Sequence, residues 1–286
     1  MSRAVRRALI VTADDFGLSL AVNDAVEMAH REGILTAASL MVTGEAAADA
    51  VQRARRLPTL RVGLHLALVE ARPALPVETV PALVDATGHF RRDMAASGAR
   101  MFFDPVARRQ LEAEVEAQFA AFDATGLVLD HVNAHKHFHM HPTILSAAMK
   151  AGGKRGLRAI RLPVEDRATV NAVEPGTAGL PHRLFAAWAM AQGRRMTRAG
   201  FSTPDRVIGL AWSGAMDAAR VAAALRIAPA GITELYTHPA TLDAFPGSAP
   251  GYRYRDELAA LVSPDVKRIV AEGGFVTGGY ADFCSS

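Results

Sequence analysis

Two adjacent carboxylates, Asp14 and Asp15, follow an apolar run at residues 8–13 and precede Phe16-Gly17. Adjacent side chains point in different directions, so such a pair can divide between holding a cation and acting as a general base. The same residues also suit a polar turn ahead of a helix capped by Ser19. His65, inside Val62-Gly63-Leu64-His65-Leu66, reads either as a satisfied core histidine or as a ligand. The densest chemistry lies at 130–142, where His135, His137, His139 and His141 alternate up to Pro142. If that segment stays extended, all four share one face. Same-face positions lie roughly 6.5 Å apart and imidazole nitrogens bind zinc at about 2.0–2.1 Å, so four cannot serve one ion. One or two are ligands; the others line a pocket or cap the helix that Pro142 begins. Arg161, in Ile160-Arg161-Leu162-Pro163, and His238, in Thr237-His238-Pro239, complete the set.

Positioning these groups needs strands that end together. Eight short apolar or β-branched runs are expected to be strands: 8–13, 37–43, 61–66, 127–134, 157–163, 207–212, 232–238 and 275–280. Helical periodicity falls at 20–31, 46–56, 110–124, 142–154, 180–198, 215–226 and 255–272. Alternation of this kind predicts a single-domain α/β fold over 1–286, a deformed β/α barrel with parallel strands; an open doubly wound sheet is the alternative. Catalytic side chains of β/α barrels gather at the C-terminal ends of the strands. Asp14, Asp15, His65, His135, Arg161 and His238 would meet there, drawn from five strands. Two stretches, at about 68–109 and 164–179, break the rhythm with prolines and glycines and are expected to be long substrate-binding or lid loops.

The composition is that of a folded chain of 286 residues, half of them apolar and 21% charged. One cysteine, Cys284, excludes an internal disulfide and a thiolate zinc site and suits a reducing compartment. The formal charge is +3, and the arginines are scattered without interleaved aromatics, which argues against a nucleic-acid partner. The stretch 1–10 lacks the apolar core of an export signal, and no run of about 18 apolar residues occurs, so a cytoplasmic protein is expected.

The segments Thr12-Ala13-Asp14-Asp15-Phe16-Gly17, Gly63-Leu64-His65-Leu66, Asp130-His131 through His139-Met140, and Thr237-His238-Pro239-Ala240 together resemble the YdjC-like (ChbG-type) carbohydrate deacetylases. The resemblance implies a deformed β/α barrel that hydrolyses the N-acetyl group of an amino sugar. By the same resemblance Asp14 is the catalytic base, Asp15, His65 and His135 are metal ligands, and His238 is the general acid. His141 departs from the chitooligosaccharide-type members. The stretches 34–42, 131–139 and 158–163 further resemble the hopanoid-associated HpnK branch, which implies an N-acetylglucosaminyl hopanoid headgroup as substrate.

Within this reading the cofactor is one divalent ion; two histidines and a carboxylate suit zinc, while magnesium, manganese and cobalt also accept mixed N/O sites. Arg161 either orients Asp14 or merely secures the barrel. His137 and His139 are expected to bind substrate. For a lipid-linked substrate, the apolar residues Leu180, Leu184, Phe185 and Trp188 offer a peripheral contact with the inner membrane surface; an ordinary helix packing them inward is the alternative. A homodimer is the remaining partner expectation. Rival functions are deacetylation of soluble chitooligosaccharides, a metal-dependent phosphoesterase, and a barrel that binds sugar without turnover.

Overall fold

A computed structural model of the chain describes residues 7–177 and 179–284; most of the amino-terminal stretch read as lacking an export signal, residues 1–6, lies outside the described residues. Seven strands form one parallel sheet: β1 (Arg7–Phe16), β2 (Ala37–Leu40), β3 (Arg61–Leu66), β4 (Leu129–Ala134), β5 (Arg206–Ile208), β6 (Gly231–Thr237) and β7 (Phe275–Thr277). Their order is β4-β3-β2-β1-β6-β5, with β7 beside the first half of β1. The sheet curls into an open barrel, which bears out the expected deformed β/α architecture.

Alternation along the strands sorts the two faces. Leu9, Val11, Leu64, Leu66, Val132 and Leu235 join the large apolar core under the helices. Ile10 and Ala37, of opposite parity, belong to a small separate cluster with Ala159, Tyr280 and Cys284. This second cluster floors the barrel, and polar side chains fill the space above it. Cys284 is buried in this floor as a packed apolar group, and that burial pushes its thiol up to about 12.

The expected strand at 157–163 is reduced to single bridges, Val132 with Ile160 and Ala159 with Ser202. Pro163 cannot donate to a ladder, and pairing stops after Val132 N–H reaches the Ala159 carbonyl and Arg161 N–H reaches the Val132 carbonyl. That brief contact still fixes where Arg161 points. The expected strand at 275–280 also shortens, because Tyr280 opens the helix Tyr280–Phe283. The helical pattern at 255–272 divides into Tyr254–Val262 and Pro264–Glu272, broken where Ser263 turns extended ahead of Pro264.

Neither expected loop is structureless. The first contains the helix Met94–Phe103 and buries Val80, Leu83 and Phe90. Its beginning is tied to the helix Pro105–Ala124, where the Glu114 carboxylate accepts the N–H groups of Ala74 and Leu75. The second contains the helix Arg167–Val173, capped by Asp166. The helix Leu180–Arg198 buries Ala189, Gln192, Gly193 and Met196 and leaves Leu180, Leu184, Phe185 and Trp188 exposed, so the inward-packing alternative fails for its first half. Among the described residues, no helix is long and apolar enough to cross a membrane.

Candidate metal centre

β1 bulges at its C-terminal end: Ala13 pairs with Ala38 and Phe16 with Leu40, so three steps on β1 match two on β2. The extra residue lies within Asp14-Asp15, and Asp15 takes a left-handed conformation at φ 63°. A bulge re-aims side chains, and an aspartate tolerates this region better than most residues. Both carboxylates thereby turn toward the barrel mouth.

Asp15 Oδ1 lies 3.0 Å from His135 Nδ1 and 3.2 Å from His65 Nε2. Ligand atoms of the three residues all fall within 4.8 Å of one another. His65 is buried, and its Nδ1 sits 2.6 Å from Asn133 Oδ1. With a proton on Nδ1 donated to that oxygen, Nε2 presents a lone pair to the Asp15 carboxylate and has no hydrogen-bond partner. Two buried acceptors facing each other are unfavourable unless a cation lies between them. Donors about 2.0–2.1 Å from a tetrahedral ion would be roughly 3.3 Å apart, close to the spacings found. The three residues fit a divalent ion. His135 keeps 20% of its side chain exposed, which leaves the triad open on that side.

Asp14 stands beside the triad and is held by other partners. Arg161 donates to both of its oxygens, Nη1 to Oδ2 at 2.5 Å and Nη2 to Oδ1 at 3.0 Å, and Asn133 Nδ2 donates to Oδ1 at 3.0 Å. Burial alone would raise the Asp14 pKa; the Arg161 guanidinium outweighs it and holds the carboxyl far below the usual carboxylate range. Arg161 is itself fully buried and also donates to Glu234 Oε1 from Nε and Nη2. It therefore both orients Asp14 and ties β1 to β6, which joins the two roles considered for it.

His238 follows β6, and its ring packs edge-on against Tyr236 at 5.1 Å. Its backbone N–H donates to Glu257, whose carboxylate also accepts Met216 N–H. Burial pushes the Glu257 pKa up to about 7. Among the described residues His238 Nδ1 has no hydrogen-bond partner.

The histidine run does not stay extended. β4 ends at Ala134, and His135–Met140 forms a tight turn in which Lys136 and His137 both have positive φ. The four rings consequently separate. His137 lines a cavity of about 200 Å³ with Tyr236, Ser213, Glu165, His182 and Phe185. Tyr236 connects this cavity to the metal centre, because its ring contacts both His137 and His238. His139, expected to bind substrate, is instead fully buried and bonds through Nε2 to the Arg161 carbonyl, behind the site. His141 occupies the N-cap position of the helix Pro142–Gly153 without capping it by its side chain, and its ring packs against Gly98 instead.

The model of the YdjC-like protein family matches residues 8–272. The chain belongs to that family. A carbohydrate deacetylase of Geobacillus stearothermophilus is 31% identical over 283 residues, covering 97% of this chain and 98% of its own. A chitooligosaccharide deacetylase of Salmonella schwarzengrund is 31% identical over 285 residues, covering 97% and 100%. Among solved structures, a protein of Enterococcus faecalis V583 named for cellobiose-phosphate cleavage superposes with a TM-score of 0.76 at 26% identity, covering 98% of this chain and 99% of its own.

Sequence reasoning passed over Asn133, Glu234 and Tyr236. Parity held the signal: Asn133 lies two residues before His135, at the end of β4, and Glu234 and Tyr236 lie four and two residues before His238, at the end of β6.

Proposed function

We propose that this protein is a metal-dependent deacetylase that hydrolyses the N-acetyl group of an amino sugar, with an N-acetylglucosaminyl hopanoid headgroup as its substrate. One observation carries the reading: an Asp-His-His triad, buried at Asp15 and His65 and open at His135, stands beside a second carboxylate, Asp14, that Arg161 holds ionised and in place. The names of the family relatives support the same chemistry.

An ion bound by Asp15, His65 and His135 would polarise the acetyl carbonyl and make water more acidic. Asp14 accepts the proton from the attacking water; its arginine fixes the carboxylate plane without occupying the ion's ligand positions. The water oxygen bonds to the acetyl carbon, the C–N bond breaks, and His238 passes a proton to the departing amine, replaced by the one Asp14 took from water, giving acetate and the free amino sugar. His137 and Tyr236 border the cavity in which the sugar sits. Trp188, Leu184 and Leu180 extend an exposed apolar surface from Phe185, which itself lines that cavity, and this supports a lipid-linked substrate held at a membrane surface.

The deciding experiment measures acetate release from N-acetylglucosaminyl hopanoid, N-acetylglucosamine and chitobiose, each with and without chelator. Release that chelator abolishes, fastest on the lipid, is expected. Turnover only of chitobiose would transfer the reading to soluble oligosaccharides, and no acetate from any of the three by metal-loaded protein would overturn it.

A further inference from the structure

β4 also bulges: Val62 pairs with Leu129 and Leu64 with Val132, so Gly63 faces the two residues Asp130 and His131. The His131 ring fills the space that a side chain at position 63 would need, since a Cβ there would lie 2.5 Å from it. On its other side the ring stacks on Tyr280 at 4.2 Å. His131 Nδ1 lies 2.9 Å from Asp130 Oδ2, and its Nε2 lies 3.0 Å from Ser39 Oγ. This serine, histidine and aspartate are buried beneath the candidate centre, out of reach of substrate.

The hydrogen bonds run in one direction. Asp14 as a carboxylate only accepts, so the Asn133 group facing it is the amide NH2. The same NH2 reaches Ser39 Oγ at 2.9 Å with its second proton. Asn133 Oδ1 then faces His65 Nδ1, which must carry the proton. Ser39, accepting from Asn133, donates its own hydroxyl proton to His131 Nε2, and His131 donates from Nδ1 to Asp130. The Asp130 carboxylate is fixed in turn by the N–H groups of Tyr280 and Ala281.

We propose that Asn133 is a positioning residue that sets the His65 tautomer and the Asp14 carboxylate together, and that Ser39, His131 and Asp130 hold Asn133 in the one orientation that does both. A flipped amide would place its oxygen against Asp14 and its NH2 against His65 Nδ1, leaving Nε2 protonated and unable to bind an ion. The proposal rests on the metal-dependent reading above for its consequence to turnover, but not for its consequence to metal affinity.

The test uses the purified full chain and zinc alone, with affinity read by competition against a chromophoric chelator. In parallel, the ring nitrogens of the metal-free, ¹⁵N-histidine-labelled protein report the His65 tautomer. Asn133→Leu is expected to weaken zinc binding by about 10–100-fold and to leave His65 as a mixture of tautomers. Ser39→Ala, which removes one oxygen and fits the same space, is expected to move both readings in the same direction by less, and to lower kcat more than KM. Zinc affinity within twofold of wild type and a fixed Nδ1–H tautomer in Asn133→Leu overturn the proposal. Should that variant not fold, the same pair of results in Ser39→Ala overturns it. Wild type that passes both readings but releases no acetate keeps the positioning role and loses the deacetylase reading.

Discussion

At the scale of single residues, the proposed division of labour between two neighbouring aspartates follows from their partners. Asp15 has two imidazoles and no guanidinium; Asp14 has the guanidinium and the Asn133 amide. Asp14→Asn keeps the volume but removes the proton acceptor, so acetate release is expected to fall by about 10²–10⁴-fold with bound metal per chain unchanged, measured by elemental analysis beside the rate. Loss of metal in parallel with rate would instead make Asp14 a ligand. His65→Ala is expected to do what Asp14→Asn does not, removing the ion. Arg161→Met leaves Asp14 and Glu234 together in the interior without a cation. Breaking a buried ion pair in this way costs about 3–5 kcal/mol, and urea unfolding of this variant should show a loss of that size.

At the scale of elements, the bulge in β1 brings two carboxylates to the mouth, and the bulge in β4 places the buried pair that supports Asn133 beneath it. Each turns a consecutive pair of polar residues inward, and the one in β4 sits opposite Gly63, where the His131 ring leaves no room for a side chain. The turn after Ala134 does the opposite for the histidine run, scattering four rings that an extended strand would have aligned. The helix Leu180–Arg198 is split along its length, with a packed C-terminal half and an exposed apolar N-terminal half. Trp188 keeps a polar tie by donating from its indole to the Met140 carbonyl at 3.0 Å while its ring stays partly exposed. If this half meets lipid, Phe185→Asp with Trp188→Asp should abolish flotation with anionic liposomes while sparing acetate release from soluble N-acetylglucosamine. Equal flotation of wild type and variant would remove the membrane contact.

The whole molecule closes around its C-terminal segment. Tyr280 reaches the site by two routes: its backbone N–H binds Asp130, which anchors His131, and its hydroxyl donates to Glu234, which anchors Arg161. Tyr280→Phe leaves a buried carboxylate oxygen short of a donor and is expected to cost about 1–3 kcal/mol in urea unfolding, whereas Tyr280→Ala, which also opens the barrel floor, is expected to cost about 3–5 kcal/mol. Asp130 links this closure to pH. Burial would raise its pKa, but the His131 ring and the N–H groups of Ala281 and Tyr280 outweigh it and leave the carboxyl below its ordinary value of 3.8. A lowered pKa stabilises the fold above the unfolded value and withdraws that stability as pH falls through the folded one. Thermal unfolding below about pH 4 should therefore be less steep in pH for Asp130→Asn than for wild type.

Read alone, the sequence pointed to the barrel class and to Asp14, Asp15, His65, His135, Arg161 and His238 as one convergent set, because strand parity and apolar runs are local properties that survive without coordinates. Tertiary structure alone decided what each group touches. The left-handed turn at 136–137, the reduction of 157–163 to single bridges and the exposure of the first half of Leu180–Arg198 all depend on neighbours distant in the chain. So does the joint role of Arg161, which needs Glu234 beside it, and the placement of His139 behind rather than within the site. Asn133 shows the boundary most clearly. Its inward face could be read from its spacing to His135, but the direction of its amide is fixed only by Asp14, Ser39 and His65, three residues that the fold brings to it from other strands.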